Sequence, residues 1–229
     1  MQLTALISHS IYYLTLKVEL LTMLLKDIPH QKLKGSGWNT RGYLPHFDGA
    51  AIPQFITLKL ADAIPLKVID RWKKELEHLN SKEEQILMQR RIDVYLDQGY
   101  GSCYLKDPTI AAMVEESLLD RDGIDYKLSA WVVMPNHTHS LLRRLEDKRV
   151  EDILDAHKGY TAHKANEYLN RSGHFWMEDY FDRFIRNEEH YWNTVRYIEN
   201  NPVKARLCKE PSDWPFSSAW FRKHGRKNK

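Results

Sequence analysis

The sequence predicts an α+β protein: an antiparallel sheet with helices packed on it. Two strongly apolar runs, Tyr126–Met134 and His137–Arg143, are separated only by Pro135-Asn136 and read as a strand that turns and comes straight back. A third run, Phe55-Ile-Thr-Leu-Lys-Leu60, alternates apolar and polar residues between Pro53 and Pro65. Helical spacing fills the chain between and after these runs. The resulting order is strand, helices, strand, strand, helix, short strand, helix, which is that of an α+β sandwich.

Each element has its own signal. Leu66 to about Leu79 carries apolar residues at helical spacing (Val68, Ile69, Trp72, Leu76, Leu79). Ser81 with Glu83 and Glu84 opens a second helix to Leu96, closed by Gly99. Asp107-Pro108 is an N-cap acid followed by proline in the first turn, and starts a helix that ends near Leu119. Asp120-Arg-Asp-Gly123 is a turn. Val150–Leu169 is helical, Asp182–Arg186 a short strand, and Glu188–Asn200 a helix stopped by Pro202. Trp214-Pro215 begins an irregular segment.

The 229 residues suit one domain with an extension. Apolar residues at 42% and aromatics at 11% supply a core and argue against a wholly disordered chain. With 34 Lys and Arg against 31 Asp and Glu the net charge is +3, which permits a nucleic-acid partner without requiring one. Two cysteines, Cys103 and Cys208, exclude a disulfide scaffold and a four-cysteine zinc site, and fit a reduced cytoplasmic chain. Met1–Leu25 is rather apolar, but no basic residue precedes its run from Leu3 to Leu16, which Lys17 and Glu19 then break. It matches neither a secretory signal nor a membrane span of about 20 apolar residues, and reads as a peripheral element or a translated leader. Lys32–Asn39 has the composition of a linker. The expected organisation is an extension over 1–39, a domain over 40–221 and a basic tail over 222–229.

Three constellations could carry chemistry. His137 and His139 are i and i+2 on a strand, so both imidazoles project from one face, while Thr138 faces the other. Such a pair can hold a divalent metal, or can simply hydrogen-bond at a sheet edge. Tyr197 and Asn201 are i and i+4 on a helix and share a face. The Asn amide oxygen suits a hard cation, and the phenol would point to the same place; the plainer alternative is a core tyrosine and an Asn that ends the helix. Arg183 and Arg186, three apart, cannot share a strand face; one can pair with Asp182 or Glu188 and one can contact phosphate. Phe175-Trp176 and Tyr180-Phe181 could stack on bases or build core.

The stretch Trp131-Val-Val-Met-Pro-Asn-His-Thr-His-Ser-Leu-Leu142 resembles the strand-turn-strand of the HUH (His-hydrophobe-His) single-strand nucleases, and in particular the REP-associated tyrosine transposases. Further blocks follow in the same order as in that family. They are Arg41–Phe47, Phe55–Pro65, Gly173–Arg186, Tyr197-Ile-Glu-Asn-Asn-Pro-Val-Lys-Ala205 and Trp214–Ser218. Together they cover about Thr40 to Trp220. The resemblance implies the HUH nuclease fold, a ferredoxin-like (RRM-like) antiparallel sheet with helices packed on it. It implies His137, His139 and Asn201 as ligands of Mg²⁺ or Mn²⁺, and Tyr197 as nucleophile. The activity implied is a single-stranded DNA endonuclease and strand transferase. It would cut at palindromic hairpin repeats through a 5′-phosphotyrosine and release a free 3′-hydroxyl. The implied partner is hairpin DNA with a single-stranded flank, with no membrane and with a monomer favoured over a dimer. The implied setting is the bacterial nucleoid.

Arg183, Arg186, Lys204, Arg222 and Lys223 are the candidate DNA contacts. Two positions depart from the family pattern: Thr138 stands where a hydrophobe is usual, and Arg206 where Gly is usual. Tyr180 and Tyr191 are rival nucleophiles without an amide at i+4. A histidine-triad hydrolase fails because Leu141 takes the third alternating place. A hairpin-binding protein of the same fold without catalysis is the alternative.

Overall fold

The computed structural model describes Trp38–Arg41, Leu44–Phe47, residues 52–145 and residues 148–225. The expectations for Met1–Leu25 and for most of the linker therefore lie outside the described residues. β1 (Trp38–Arg41) and β2 (Leu44–Phe47) form a small antiparallel hairpin across the expected domain edge. Then come β3 (Gln54–Lys59), α1 (Leu66–Leu76), α2 (Ser81–Asp97) and α3 (Pro108–Leu119). β4 (Tyr126–Val133), β5 (His137–Arg144), α4 (Val150–Tyr168), β6 (Phe181–Phe184), α5 (Glu188–Lys204) and α6 (Ser218–His224) complete the order.

The main sheet runs β4-β5-β3-β6, every neighbour antiparallel. Helices α1 to α3 connect β3 to β4, and α4 connects β5 to β6. This is the βαββαβ arrangement of a ferredoxin-like sheet, with two extra helices in the first crossover.

The sheet is buried on both faces, and period-two alternation sorts its residues. One face carries Ile56 and Leu58 on β3, Thr138 and Leu142 on β5, and Val133 on β4. It packs on Ile69, Trp72 and Leu76 of α1, Ile110 and Val114 of α3, and Ile153 and Leu154 of α4. The other face carries Phe55, Leu141, Ala130 and Val132, and is covered by Tyr191, Val195 and Ile198 of α5. Thr138 is buried toward the first face, as its place between the histidines requires. Phe175 and Trp176 are core, with the Trp176 indole N–H donating to Thr161 Oγ1 at 2.9 Å. Cys103 and Cys208 are free thiols.

Polar caps fix where helices begin. Asp107 accepts from Thr109 N at 2.8 Å ahead of Pro108, and Asn187 accepts from His190 N at 2.8 Å. The tyrosine helix departs from expectation at its other end. It does not stop at Asn200 but runs through Pro202 to Lys204. Proline removes one donor, yet the carbonyls downstream are still closed: Arg206 N donates to Val203 O at 2.9 Å and Leu207 N to Pro202 O at 2.8 Å. That is a Schellman ending, and it puts Arg206 at φ +59°, the left-handed position where glycine is usual. The last strand lies at Phe181–Phe184, starting one residue and ending two residues earlier than expected: Ile185 N still donates to Pro53 O at 2.8 Å in register with β3, but Pro53 has no N–H to return the bond. Arg222 to His224 form the last turn of α6, whose N-cap Ser217 accepts from Trp220 N at 3.2 Å.

His157 on α4 is buried, its Nδ1 paired with Ser117 Oγ at 2.8 Å and its Nε2 without a partner. Burial pushes it down from 6.5 to about 4. Below pH 6.5 the unfolded chain takes up a proton that the folded chain refuses until about pH 4, so folding stability falls across that window. At about 1.4 kcal/mol per pKa unit the loss from this one group approaches ~3 kcal/mol. Urea denaturation of His157→Gln between pH 7 and 4 should show a shallower fall than wild type; equal slopes would show that His157 does not set it.

Candidate active site between the hairpin and the tyrosine helix

The antiparallel register between β3 and β5 builds the floor of the site. It pairs Lys59 with His137 and Thr57 with His139, so all four side chains share the face beneath α5. The two imidazoles lie 4.7 Å apart between ring centroids, at 70° to one another, and each residue is about 1% exposed.

Each ring is oriented by a neighbour. Asn136 Nδ2 donates to Tyr100 O at 2.9 Å, which turns its Oδ1 toward His137 Nδ1 at 2.8 Å. With that oxygen as acceptor, His137 carries its proton on Nδ1 and keeps a lone pair on Nε2. Nε2 is buried and unpartnered. His139 Nδ1 meets Thr57 Oγ1 at 2.9 Å. Burial pushes His137 down to about 3, aided by the Lys59 and Lys204 charges. His139 is held well below 6.5 by burial, then by His137 and Lys204. Both rings are therefore neutral at physiological pH, the form that can donate a lone pair.

The α5 helix brings the other two residues. The Tyr197 ring meets His139 at 5.4 Å and Phe55 edge-on at 5.7 Å. Lys204 Nζ lies 5.8 Å from the Tyr197 ring centroid. Asn201, one turn further along the same face, is fully buried, and neither its Oδ1 nor its Nδ2 has a partner. The Tyr197 hydroxyl is likewise buried without a well-formed hydrogen bond. A buried polar group left unpaired costs about 1–3 kcal/mol. Gathering such atoms beside two neutral imidazoles is what a site completed by a ligand looks like. The donor set of two imidazole nitrogens and an amide oxygen fits a divalent cation. Among the described residues no three His, Cys, Asp or Glu side chains gather at one point; the unpartnered Asn201 amide oxygen is the further donor beside the two imidazoles.

Four contributors were not singled out from the sequence. Asn136 lies in the turn between β4 and β5, and alternation along β3 already puts Thr57 and Lys59 on one face. Lys59 is wholly buried, and burial lowers it to about 8 against the pull of Asp179 and Asp93. The fourth, Asp93, comes from α2 and has no local signal. Burial raises it to about 6. Tyr197 is pushed well above 10, first by burial and then by the Asp93 and Asp97 carboxylates, with Arg183 pulling the other way.

The expected DNA contacts are dispersed. Arg183 stands opposite Phe55 on the site face, its guanidinium 5.8 Å from that ring. Arg183 and Arg186 line a cavity of about 280 Å³ with Asn187, Glu189, His190 and Asn193. Lys204 is paired with Asp97 at 2.7 Å, Arg222 with Glu199, and Lys223 donates to Ser212 Oγ at 3.2 Å. Tyr191 is buried in the core beneath α5, and Tyr180 packs on the opposite core, away from the histidines.

Residues 112–201 match the model of the family described as Transposase IS200 like. That segment runs from α3 through both histidines to Asn201. A REP-associated tyrosine transposase of Escherichia coli (strain K12) is 30% identical over 95 residues, covering 41% of this chain. The chain spans about half the length of that relative, 54% of it. A solved structure of a REP-associated tyrosine transposase bound to a REP hairpin superposes with a TM-score of 0.50 over 82% of this chain and 89% of that one. At 19% identity the likeness is one of fold. The resemblance read from the sequence is met in all three comparisons. No helix among the described residues is long and apolar enough to cross a membrane.

Replacing Asn136 by Ala would strip a buried acceptor from His137 and leave the Tyr100 carbonyl without its donor. Urea denaturation should show a loss of about 1–3 kcal/mol. A change below about 0.5 kcal/mol, the range of surface substitutions, would show that the amide bridge holds nothing.

Proposed function

We propose that this protein is a metal-dependent single-stranded DNA endonuclease and strand transferase acting at palindromic hairpins. The observation that carries the reading is the buried set of His137, His139 and Asn201 with its unpartnered polar atoms, and Tyr197 packed against His139. The family segment and the fold likeness support the transposase class. The hairpin is what the solved relative binds.

Nε2 of both histidines and Oδ1 of Asn201 would hold Mg²⁺ or Mn²⁺. A divalent cation there supplies Lewis-acid polarisation of the scissile phosphate. Asn136 and Thr57 orient the imidazoles so that the Nε2 lone pairs point into the site. Tyr197 Oη forms the new bond to phosphorus, the bond from phosphorus to the 3′-oxygen breaks, and a 5′-phosphotyrosine and a 3′-hydroxyl result. The ester keeps the bond energy, so rejoining needs no ATP. Lys59, Lys204 and Arg183 are cations beside this site; Arg183, Arg186, Lys204, Arg222 and Lys223 would hold flanking phosphates, Lys204 and Arg222 exchanging protein carboxylates for DNA.

One observation favours the alternative of hairpin binding without chemistry: the Tyr197 phenol is buried and held protonated. The test is incubation with Mn²⁺ and labelled hairpin oligonucleotides carrying a single-stranded flank, read on a denaturing gel. A covalent protein–DNA band is expected, absent in Tyr197→Phe and His137→Ala and absent with EDTA. A band that survives Tyr197→Phe would move the nucleophile elsewhere, and tight hairpin binding with no band would establish the binding-only reading.

A further inference from the structure

None of the four aromatics that could have stacked on bases is exposed. Phe175 and Trp176 are buried, and Tyr180 and Phe181 are partly buried against the two cores. Tyr100, Tyr160 and Tyr168 are exposed aromatics. Tyr160 and Tyr168 belong to α4, which covers the sheet face opposite the histidines. Tyr100 follows α2, and two bonds tie its segment to the rim of the candidate site. Tyr100 O accepts from Asn136 Nδ2 at 2.9 Å, and the oxygen of the same amide meets His137 Nδ1 at 2.8 Å. One turn earlier, Asp97 pairs with Lys204 Nζ at 2.7 Å, and that ammonium lies 5.8 Å from the Tyr197 ring centroid.

The Tyr100 residue is 49% exposed, yet it is held. Its ring meets Tyr95 at 4.6 Å between centroids, and Tyr95 meets Trp72 edge-on at 5.6 Å. Its loop is fastened to the end of β3: Asp62 Oδ2 accepts from Ser102 N at 2.8 Å and from Ser102 Oγ at 2.5 Å. Gly101, at φ +87°, passes so near that a Cβ there would lie 2.7 Å from Asp62 O. A ring held still and open to water has already lost the freedom that binding would otherwise cost. Aromatic rings so placed are platforms for unpaired bases, since every base offers a π face. Lys204 and Arg183, beside the histidines, supply the charge that draws the adjoining phosphates. Resting on the single-stranded DNA reading above, we infer that the Tyr100 ring stacks on one unpaired base of the flank and so lays the strand across the histidines. No bond is made or broken at Tyr100; its part is binding. It reads a π face and not a base edge, so the position accepts any base and rejects an abasic one.

The experiment is equilibrium binding by fluorescence anisotropy, without added divalent cation so that no strand is cut. The probes are a labelled hairpin with its single-stranded flank, the bare hairpin, and flanked hairpins carrying an abasic site at each flank position in turn. The proteins are wild type, Tyr100→Ala, Tyr100→Leu, Tyr100→Phe and Tyr100→Trp. All of them keep the bond from Asn136, because it ends on the backbone carbonyl. Tyr100→Ala should weaken binding of the flanked hairpin by about 5–150-fold, the worth of one stacked base, and leave the bare hairpin unaffected. Tyr100→Leu, which keeps apolar bulk against Tyr95 without a π face, should lose as much, so the assignment is read even where Tyr100→Ala does not fold. Tyr100→Phe and Tyr100→Trp should bind as wild type does. One abasic position should cost wild type the same factor, and there Tyr100→Ala should cost nothing more, because both changes remove one contact. Full affinity for the flanked hairpin in Tyr100→Ala or Tyr100→Leu would overturn the assignment. So would a loss shared equally by the bare hairpin, a loss in Tyr100→Phe as large as in Tyr100→Ala, or the absence of any flank position where the two costs merge. If wild type binds flanked and bare hairpins alike, the single-stranded DNA reading falls and Tyr100 with it; if the flank adds affinity that Tyr100→Ala keeps, only Tyr100 falls.

Discussion

The antiparallel register between β3 and β5 is the constraint on which the rest depends. It sets Lys59 against His137, Thr57 against His139 and Phe55 against Leu141. Because side chains alternate along a strand, a slip of one residue would carry both histidines to the opposite core and bring Thr138 under α5. Burial on both faces forbids that slip. Ile56, Leu58 and Leu142 belong with α1, α3 and α4, and Phe55 and Leu141 belong with α5. The apolar pattern that holds the sheet together is thus also what aims the imidazoles.

A second consequence is that the site is expensive to fold. Neutral buried histidines, a wholly buried lysine, an unpaired amide and an unpaired phenol all sit under one helix. Around them lie contacts that hold them fixed. Asn136 bridges His137 to the Tyr100 carbonyl, Thr57 supports His139, and Gln89 steadies Asp93. Helix α5 is pinned at its far end by the Schellman closure after Pro202 and by Glu199, which takes Ser218 Oγ at 2.8 Å. Groups that would relax if free are held in place, which is what a preorganised site requires.

Much of this was legible in the residues. The hairpin Tyr126–Arg144 and the helices beginning at Pro108, Val150 and Glu188 follow from alternation, caps and spacing, and they stand where expected. The shared face of His137 and His139, and that of Tyr197 and Asn201, follow from periods of two and 3.6. What the residues did not show is long-range. Nothing local tells that α2, inserted in the first crossover, brings Asp97 to Lys204 of α5, more than a hundred positions away. Likewise the continuation of α5 past Pro202 depends on Arg206 accepting a left-handed backbone, a cost that local preference argues against and the packed helix tolerates. The ion pairs of Lys204 with Asp97 and of Arg222 with Glu199 are tertiary too.

Whether His137, His139 and Asn201 face one cation, as proposed, can be read by electron spin-echo spectroscopy of bound Mn²⁺. A single Mn²⁺ per chain is expected, coupled to the nitrogens of two imidazoles, with one coupling lost in His139→Ala and binding weakened in Asn201→Ala. Mn²⁺ that shows no imidazole coupling, or a signal unchanged by either substitution, would contradict it.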